Sequence, residues 1–133
     1  MSGIEGMASG IPVMANLQDE YYTRVYRRYS FLNECPILST TPETVKENLR
    51  LLVTKPGLRA ELGRAGREYV EKYHSCEAAR FLFGKIHSRL LGDSDESLVH
   101  LFHPLTSESA RTRRPISHPL VENRLPEESP YRS

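Results

Sequence analysis

The side chains best suited to metal or acid–base chemistry are five histidines and two cysteines. His100 and His103 are three residues apart, a spacing that would place both on one face of a helix. No cysteine or carboxylate accompanies them at a spacing typical of a metal site, so the sequence predicts no metal and no cofactor. Cys35 and Cys76 lie near apolar segments, which favours buried and unreactive thiols.

The sequence lacks the short motifs that identify several common enzyme classes. It contains no G-x-S-x-G serine motif, no H-E-x-x-H zinc motif and no P-loop. Gly63 and Gly66 do not form a dinucleotide-binding fingerprint, because they lie within a helical pattern that no strand precedes. Close packing between helices is the better interpretation of these two glycines.

Tyrosines and arginines are mixed along residues 21–29. Helical spacing puts four residues on one face, namely Tyr22, Val25, Tyr26 and Tyr29, and puts the three arginines on another. Such a segment could bind RNA or an acidic membrane surface. A tyrosine stripe that faces the core, with solvated arginines opposite, explains the pattern equally well.

Short apolar runs and longer amphipathic stretches alternate along residues 1–92. The apolar runs at 11–15 and 37–38 predict two buried parallel strands. Helical patterns are predicted to end at Gly10 and Gly92, with further helices over 19–31, 41–55 and 58–73. The strand–helix–strand order indicates an α/β fold with a right-handed crossover. Because two parallel strands do not form a stable sheet alone, the sequence resembles the end of a larger domain.

Two of these predicted helices have clear apolar stripes. The helix over 58–73 is expected to bury Leu58, Leu62, Ala65, Tyr69, Val70 and Tyr73. Ser75 is a suitable cap for the last helix, whose buried side is predicted to hold Ala79, Leu82, Phe83, Ile86 and Leu90. Both stripes therefore predict helices that pack against a common core.

Residues 93–133 have a different composition and contain five of the nine prolines. They are predicted to form a mostly irregular, flexible Pro/Ser-rich tail that buries too little apolar surface to offset its ordering entropy. The apolar cluster between Leu98 and Leu105 is the exception and could dock as a short strand or a helical turn. The predicted organisation is one domain over 1–92 and a tail over 93–133.

The overall charge and hydropathy exclude several classes of protein. Eighteen basic and seventeen acidic residues leave a net charge of +1, which argues against a nucleic-acid-binding arm. No apolar run is long enough to span a membrane, and the first residues do not form a signal peptide. We therefore expect a cytoplasmic protein with no nucleic-acid partner and no integral membrane segment.

Two stretches of the sequence resemble motifs of GT-B fold retaining glycosyltransferases. Residues 5–15, E-G-M-A-S-G-I-P-V-M-A, are similar to the motif E-A-M-A-x-G-x-P-V-x-A of the large family called group 1, or family 4. Residues 55–67, K-P-G-L-R-A-E-L-G-R-A-G-R, and the following Y-V-E-K-Y-H-S also resemble that family. The likeness covers about residues 3–91. It implies a partial Rossmann-like domain with four to five helices, the C-terminal part of the donor-binding domain.

The resemblance gives a binding role to Glu5 alone. In the family, the matching glutamate accepts hydrogen bonds from the ribose hydroxyls of the sugar nucleotide, a role suited to a carboxylate. The family's first motif glutamate would lie eight positions earlier, before Met1. The phosphate-binding basic pair, the glycine-rich donor loop and the acceptor domain would also lie upstream. Gly6 replaces the family's alanine and lowers helix propensity by about 1 kcal/mol.

The resemblance implies a fragment of an enzyme that moves a sugar from a nucleotide-sugar donor to a glycan or lipid acceptor. No catalytic residue of the family matches a position in this chain, so the isolated chain is expected to be inactive, and no metal is expected. Two alternatives stay open. The chain could be a noncatalytic interaction module, or one chain of a split glycosyltransferase whose missing domain is a partner chain. Peripheral attachment to a membrane is compatible with a cytoplasmic location.

Overall fold

The computed structural model describes residues 2–121 of the chain. Its elements, in chain order, are α1 (Gly3–Ala8), β1 (Met14–Ala15), α2 (Glu20–Tyr29), a first 3₁₀ helix (Leu32–Glu34), β2 (Leu38–Ser39), α3 (Val45–Thr54), α4 (Pro56–Tyr73), α5 (Cys76–Leu90), a second 3₁₀ helix (Leu98–Phe102) and α6 (Glu108–Thr112). The described part is mostly helical with one small sheet, which is broadly the α/β class that the sequence predicts. The additional short helix α6 lies in the segment that was predicted to be irregular.

The two strands pair in parallel, as predicted. Met14 lies opposite Leu38 and Ala15 lies opposite Ser39. The backbone N–H of Leu38 donates to the carbonyl of Val13 at 2.9 Å, which extends the pairing by one residue. Because α2 connects two parallel neighbours, the segment from β1 to β2 is a strand–helix–strand crossover.

Helix α4 lies at the centre of the core. It begins with Pro56 at its first position, where the missing N–H of proline has no cost. Leu62, Ala65 and Tyr69 are buried along its predicted stripe, so the sequence identified this face correctly. The core around it forms two clusters, one built on Met7, Cys35, Ala65, Tyr69 and Ile116 and the other on Leu38, Leu52 and Leu62.

The predicted buried faces of α2 and α5 are largely exposed. Phe83 on α5 is 61% exposed and Leu90 is 74% exposed, so the predicted buried side is wrong at these positions. On α2, Tyr22 is 58% exposed and Tyr26 is 52% exposed, so the interpretation of a core-facing tyrosine stripe is wrong as well. Helical periodicity defines a face, but within residues 2–121 other elements leave more than half of each of these side chains exposed.

The segment after residue 92 packs more than its composition suggests. Leu101 is 3% exposed, Ala110 is 7% exposed and Ile116 is 4% exposed, although the sequence predicted little apolar burial here. Ile116 joins the core cluster of Met7, Cys35, Ala65 and Tyr69, and all three are isolated apolar residues without the periodicity that reveals a helix or strand. The cluster at 98–105 docks as a helical turn. Residues 122–133 lie outside the described part, and the flexibility and domain boundary stay predictions.

Candidate functional site

Glu5 lies in the first turn of α1 and is exposed. The hydroxyl of Ser2 accepts a hydrogen bond from the backbone N–H of Glu5 at 3.3 Å, and the Glu5 carboxylate accepts one from the backbone N–H of Ser2. This reciprocal pair is a capping box, which satisfies two backbone donors at the start of the helix. Glu5 therefore stabilises its own helix through Oε2 while presenting a carboxylate to solvent.

Two glycines let α1 fold tightly onto the strand that follows it. A Cβ atom on Gly6 would lie 2.9 Å from Cγ2 of Val13, which is too close for an undisturbed contact. Gly10 ends the helical turn with φ at +70°, a left-handed conformation that favours glycine. Glycine at position 6 thus has a packing reason that helix propensity alone does not reveal.

Helix α4 holds α1 from the other side through glycine contacts. A Cβ atom on Gly63 would lie 2.1 Å from the carbonyl oxygen of Gly10, so the two backbones touch directly. A Cβ atom on Gly66 would lie 3.1 Å from Cγ of Met7. Arg67 donates from Nη1 to the carbonyl oxygen of Ala8 at 2.9 Å. The close helix packing that the sequence predicted for Gly63 and Gly66 is confirmed.

A buried ion pair lies at the C-terminal end of α4. Oε2 of Glu34 accepts hydrogen bonds from Lys72 Nζ at 2.8 Å, Tyr73 Oη at 2.9 Å and the backbone N–H of Ile116 at 3.3 Å. The side chains of Lys72 and Glu34 are 6% and 13% exposed. Burial raises the pKa of Tyr73, and the charge of Glu34 adds to that increase. Sequence reasoning missed this cluster because no local spacing links residues so far apart.

The Glu34 cluster holds residues 113–116 against the end of α4 and contains no reactive group that it would activate. Lys72 also donates to the carbonyl of Arg114 at 3.2 Å, and Arg113 donates back to the carbonyl of Lys72 at 3.2 Å. A cavity of about 330 Å³ lies beside it. The cations that line this cavity pair with carboxylates, in the pairs Lys72–Glu34, Lys85–Glu96 and Arg113–Glu77. The cavity therefore offers no uncompensated positive charge to a phosphate group.

The histidines and cysteines do not converge on one site. Within residues 2–121, no group of three or more histidine, cysteine, aspartate or glutamate side chains is arranged to hold a metal ion. Nδ1 of His103 instead accepts from the backbone N–H of Leu105 at 3.2 Å. Burial raises the pKa of the Cys35 thiol to about 11, which keeps it protonated. Cys76 is exposed, so the expectation of two buried thiols holds only for Cys35.

Comparisons of the chain with protein-family models, with curated proteins and with solved structures found no match. Among the described helices, none is both long enough and apolar enough to cross a membrane. The two stretches that resemble glycosyltransferase motifs, 5–15 and 55–67, touch each other in the structure at Gly10 and Gly63. Glu5 lies on one of these stretches, while Gly63, Gly66 and Arg67 lie on the other.

Proposed function

We propose that this chain is the C-terminal part of the donor-binding domain of a GT-B fold retaining glycosyltransferase. The complete enzyme would transfer a sugar from a nucleotide-sugar donor to a glycan or lipid acceptor. The observation that supports this proposal is the direct packing of the stretch 5–15 against the stretch 55–67, through Gly10 and Gly63. Two motifs that resemble one family thus form a single packed unit.

The contact between the two stretches depends on residues from both of them. A side chain on Gly63 would collide with the backbone of Gly10, and Arg67 satisfies a carbonyl at the end of α1. The glycine at position 63 and the arginine at position 67 therefore have their packing roles only when α1 lies against α4. Together they hold α1 firmly, which fixes the position of the Glu5 carboxylate. A binding carboxylate needs this kind of rigid support.

The role proposed for Glu5 is to accept hydrogen bonds from the ribose hydroxyls of the donor. A hydrogen bond to a charged group contributes about 1.5–3 kcal/mol. Millimolar affinity already requires about 4 kcal/mol, so this contact alone gives only weak binding. The charges that stabilise the leaving diphosphate would come from the rest of the enzyme. We expect the isolated chain to show no glycosyl transfer.

A second candidate function is that of a noncatalytic interaction module, or of one chain of a split enzyme that needs a partner chain. The exposed apolar side chains of α5 favour it, since Phe83 and Leu90 are uncovered within residues 2–121. Large exposed apolar patches mark interaction surfaces in soluble proteins. This candidate and the first are compatible, because the missing part of a glycosyltransferase could itself be the partner.

The proposed role of Glu5 can be tested by NMR titration of the chain with uridine diphosphate. We expect millimolar ligand to shift the backbone amides at the start of α1, and we expect no such shift with the 2′,3′-dideoxy analogue. Glu5→Gln should abolish the response because it removes the charge but preserves the capping box. Ser2→Ala is the matched control, because it weakens the cap and keeps the carboxylate.

Two outcomes would contradict the proposal. Equal shifts with uridine diphosphate and its dideoxy analogue would show that the ribose hydroxyls are not recognised. Micromolar binding of a nucleotide sugar that disappears in Glu5→Ala would show a complete donor site in this chain, and the assignment as a partial domain would then be wrong.

A further inference from the structure

The cavity of about 330 Å³ beside the Glu34 cluster is enclosed by the end of α4, by α5 and by α6. Four aromatic or apolar side chains line it, namely Phe31, Tyr73, Phe81 and Leu82. The rings of Phe31 and Tyr73 stack with their centroids 4.3 Å apart. Ligand pockets in proteins have volumes of this order, with mostly apolar walls and a few polar groups. The cavity is therefore large enough for a small molecule with an apolar body.

Phe31 has an unusual backbone conformation at this wall. Its φ of 57° lies in the left-handed region, which residues other than glycine rarely adopt. The residue is nevertheless 6% exposed, with its ring against Tyr73. Such a conformation costs energy, persists only where the surrounding contacts impose it, and is concentrated at ligand sites. The strained residue is one of those that form the aromatic wall.

The charges around the cavity do not cancel. Each of its three cations, Lys72, Lys85 and Arg113, is paired with a carboxylate. Glu108, in the first turn of α6, also lines the cavity. Its carboxylate forms no ion pair with any residue in 2–121. The cavity and its ion pairs therefore contain one carboxylate more than they contain cations.

Lys85 does not neutralise Glu108, because it already has a partner. Its Nζ atom donates a hydrogen bond to Oε2 of Glu96 at 2.8 Å. The hydrogen bond and charge of Glu96 raise the pKa of Lys85, and the charge of Glu108 adds to this increase. Two carboxylates thus act on one ammonium group, and this side of the cavity favours a further cation.

The polar groups beside Glu108 can bind a primary ammonium group. Thr112 also lines the cavity, and its hydroxyl donates to the backbone carbonyl of Glu108 at 3.0 Å. Because that bond uses the proton of the hydroxyl, its oxygen can still accept. A primary ammonium group has three N–H donors, which a carboxylate and a hydroxyl oxygen can both accept. A quaternary ammonium group has no such donor.

We propose that this cavity binds a small primary amine in its ammonium form. The charged group lies beside Glu108 and Thr112, and the apolar body packs against Phe31 and Phe81. Aromatic walls favour such a ligand, since the faces of aromatic rings attract cations. The inference does not rest on the proposed function, because no residue that lines the cavity belongs to the stretches 5–15 and 55–67.

Calorimetric titration of the full chain with phenethylamine tests the proposal. We expect binding at neutral pH, where the amine is charged, and at least tenfold weaker binding of 2-phenylethanol and of phenylacetate. Glu108→Gln should lower the affinity for phenethylamine about tenfold, because a charged hydrogen-bond partner is lost. Glu61→Gln is the matched control, since it removes an exposed helical carboxylate that does not line the cavity. It should leave the affinity unchanged.

A second set of variants separates the apolar wall from the charge. Phe81→Ala should weaken binding about tenfold, whereas Phe83→Ala, on the same helix but outside the cavity, should not. Lys85→Gln should strengthen binding, because it removes a cation that competes for Glu108. Circular dichroism shows that each variant compared is folded.

Three results would overturn the proposal. The first is the absence of binding of phenethylamine. The second is equal affinity for phenethylamine and 2-phenylethanol, which would show that the charge is not recognised. The third is an equal loss in Glu108→Gln and Glu61→Gln, which would show attraction to the net charge of the chain rather than to this cavity.

Discussion

Helices α4 and α2 are both amphipathic in sequence, yet their surroundings are opposite. Along α4, Gly63 touches the backbone of Gly10, Tyr69 is 4% exposed and Lys72 pairs with a buried carboxylate. Along α2, no residue is buried, and Tyr21, Tyr22 and Tyr26 are each more than half exposed. Helix α4 is packed within the core, whereas helix α2 lies on the surface.

The difference shows what holds the described part together. The stability of α4 comes from tertiary contacts, with α1 and Gly10 along its middle and with Arg113 and Arg114 at its C-terminal end. By contrast, α2 contacts mainly the two 3₁₀ helices and otherwise depends on its Asp19 cap and its own backbone hydrogen bonds. Short helices in water are marginal without packing, so α2 should be the first helix to unfold locally.

The largest expected effect is on the C-terminal end of α4. Lys72→Met removes the cation beside Glu34 and leaves a buried carboxylate without its charge partner. Breaking a buried ion pair in this way costs about 3–5 kcal/mol. Urea unfolding should show this loss. The double variant Lys72→Met with Glu34→Leu should recover much of it, and a double variant as unstable as the single one would contradict the ion-pair explanation.

The glycine contact between α1 and α4 should give the next largest effect. Gly63→Ala places a Cβ atom against the carbonyl oxygen of Gly10, so we expect a loss of about 3 kcal/mol, the upper end for overpacking. Gly84→Ala is the matched control, because a Cβ atom at this helical glycine would meet nothing within 4 Å. That variant should gain about 0.5–1 kcal/mol. Similar unfolding midpoints for the two variants would rule out the backbone contact.

Local patterns in the sequence predicted a substantial part of this fold. The two parallel strands, the buried stripe of α4 and the packing role of Gly63 and Gly66 all follow from apolar spacing and glycine placement. The same reasoning failed for Tyr22 and Tyr26, because periodicity assigns residues to a face and does not say what covers that face. It also underestimated the burial of Leu101 and Ile116, which are isolated apolar residues without a period.

The candidate site was predictable only in part. The sequence predicted a short helix that ends at Gly10 and includes Glu5, but the capping box of Ser2 and Glu5 was found only in the structure. The Glu34–Lys72 pair could not be predicted, since each partner taken alone resembles an ordinary surface charge. Contacts between distant segments are set by the tertiary fold, and one sequence contains no local signal for them.

A smaller effect is expected from acidification of the C-terminal segment. Nδ1 of His118 accepts a hydrogen bond from the backbone N–H of Leu120 at 3.0 Å, and Nε2 lies 3.1 Å from the carbonyl of Ile37. Burial lowers the pKa of His118 in the folded state, although the contact with Ile37 opposes this. The unfolded chain therefore binds a proton more readily than the folded chain.

The sign of the pH dependence follows from that difference. Stability should be greatest above the ordinary histidine pKa of 6.5 and should fall as the pH drops below it, until the folded form is protonated as well. Unfolding measured as a function of pH should show a shallower decline for His118→Gln than for the unchanged chain. An unchanged slope in His118→Gln would contradict this origin of the pH dependence.

The smallest expected effect concerns the exposed tyrosines of α2. Tyr26→Ser should change the free energy of unfolding by less than about 0.5 kcal/mol, because the side chain is 52% exposed and the two residues have similar helix propensities. The same substitution at Tyr69, which is 4% exposed on α4, should cost about 3–5 kcal/mol, like other truncations of a buried aromatic side chain. Urea unfolding of the two variants measures the contrast directly. A large loss for Tyr26→Ser would mean that Tyr26 is covered in solution, and α2 would then pack like α4.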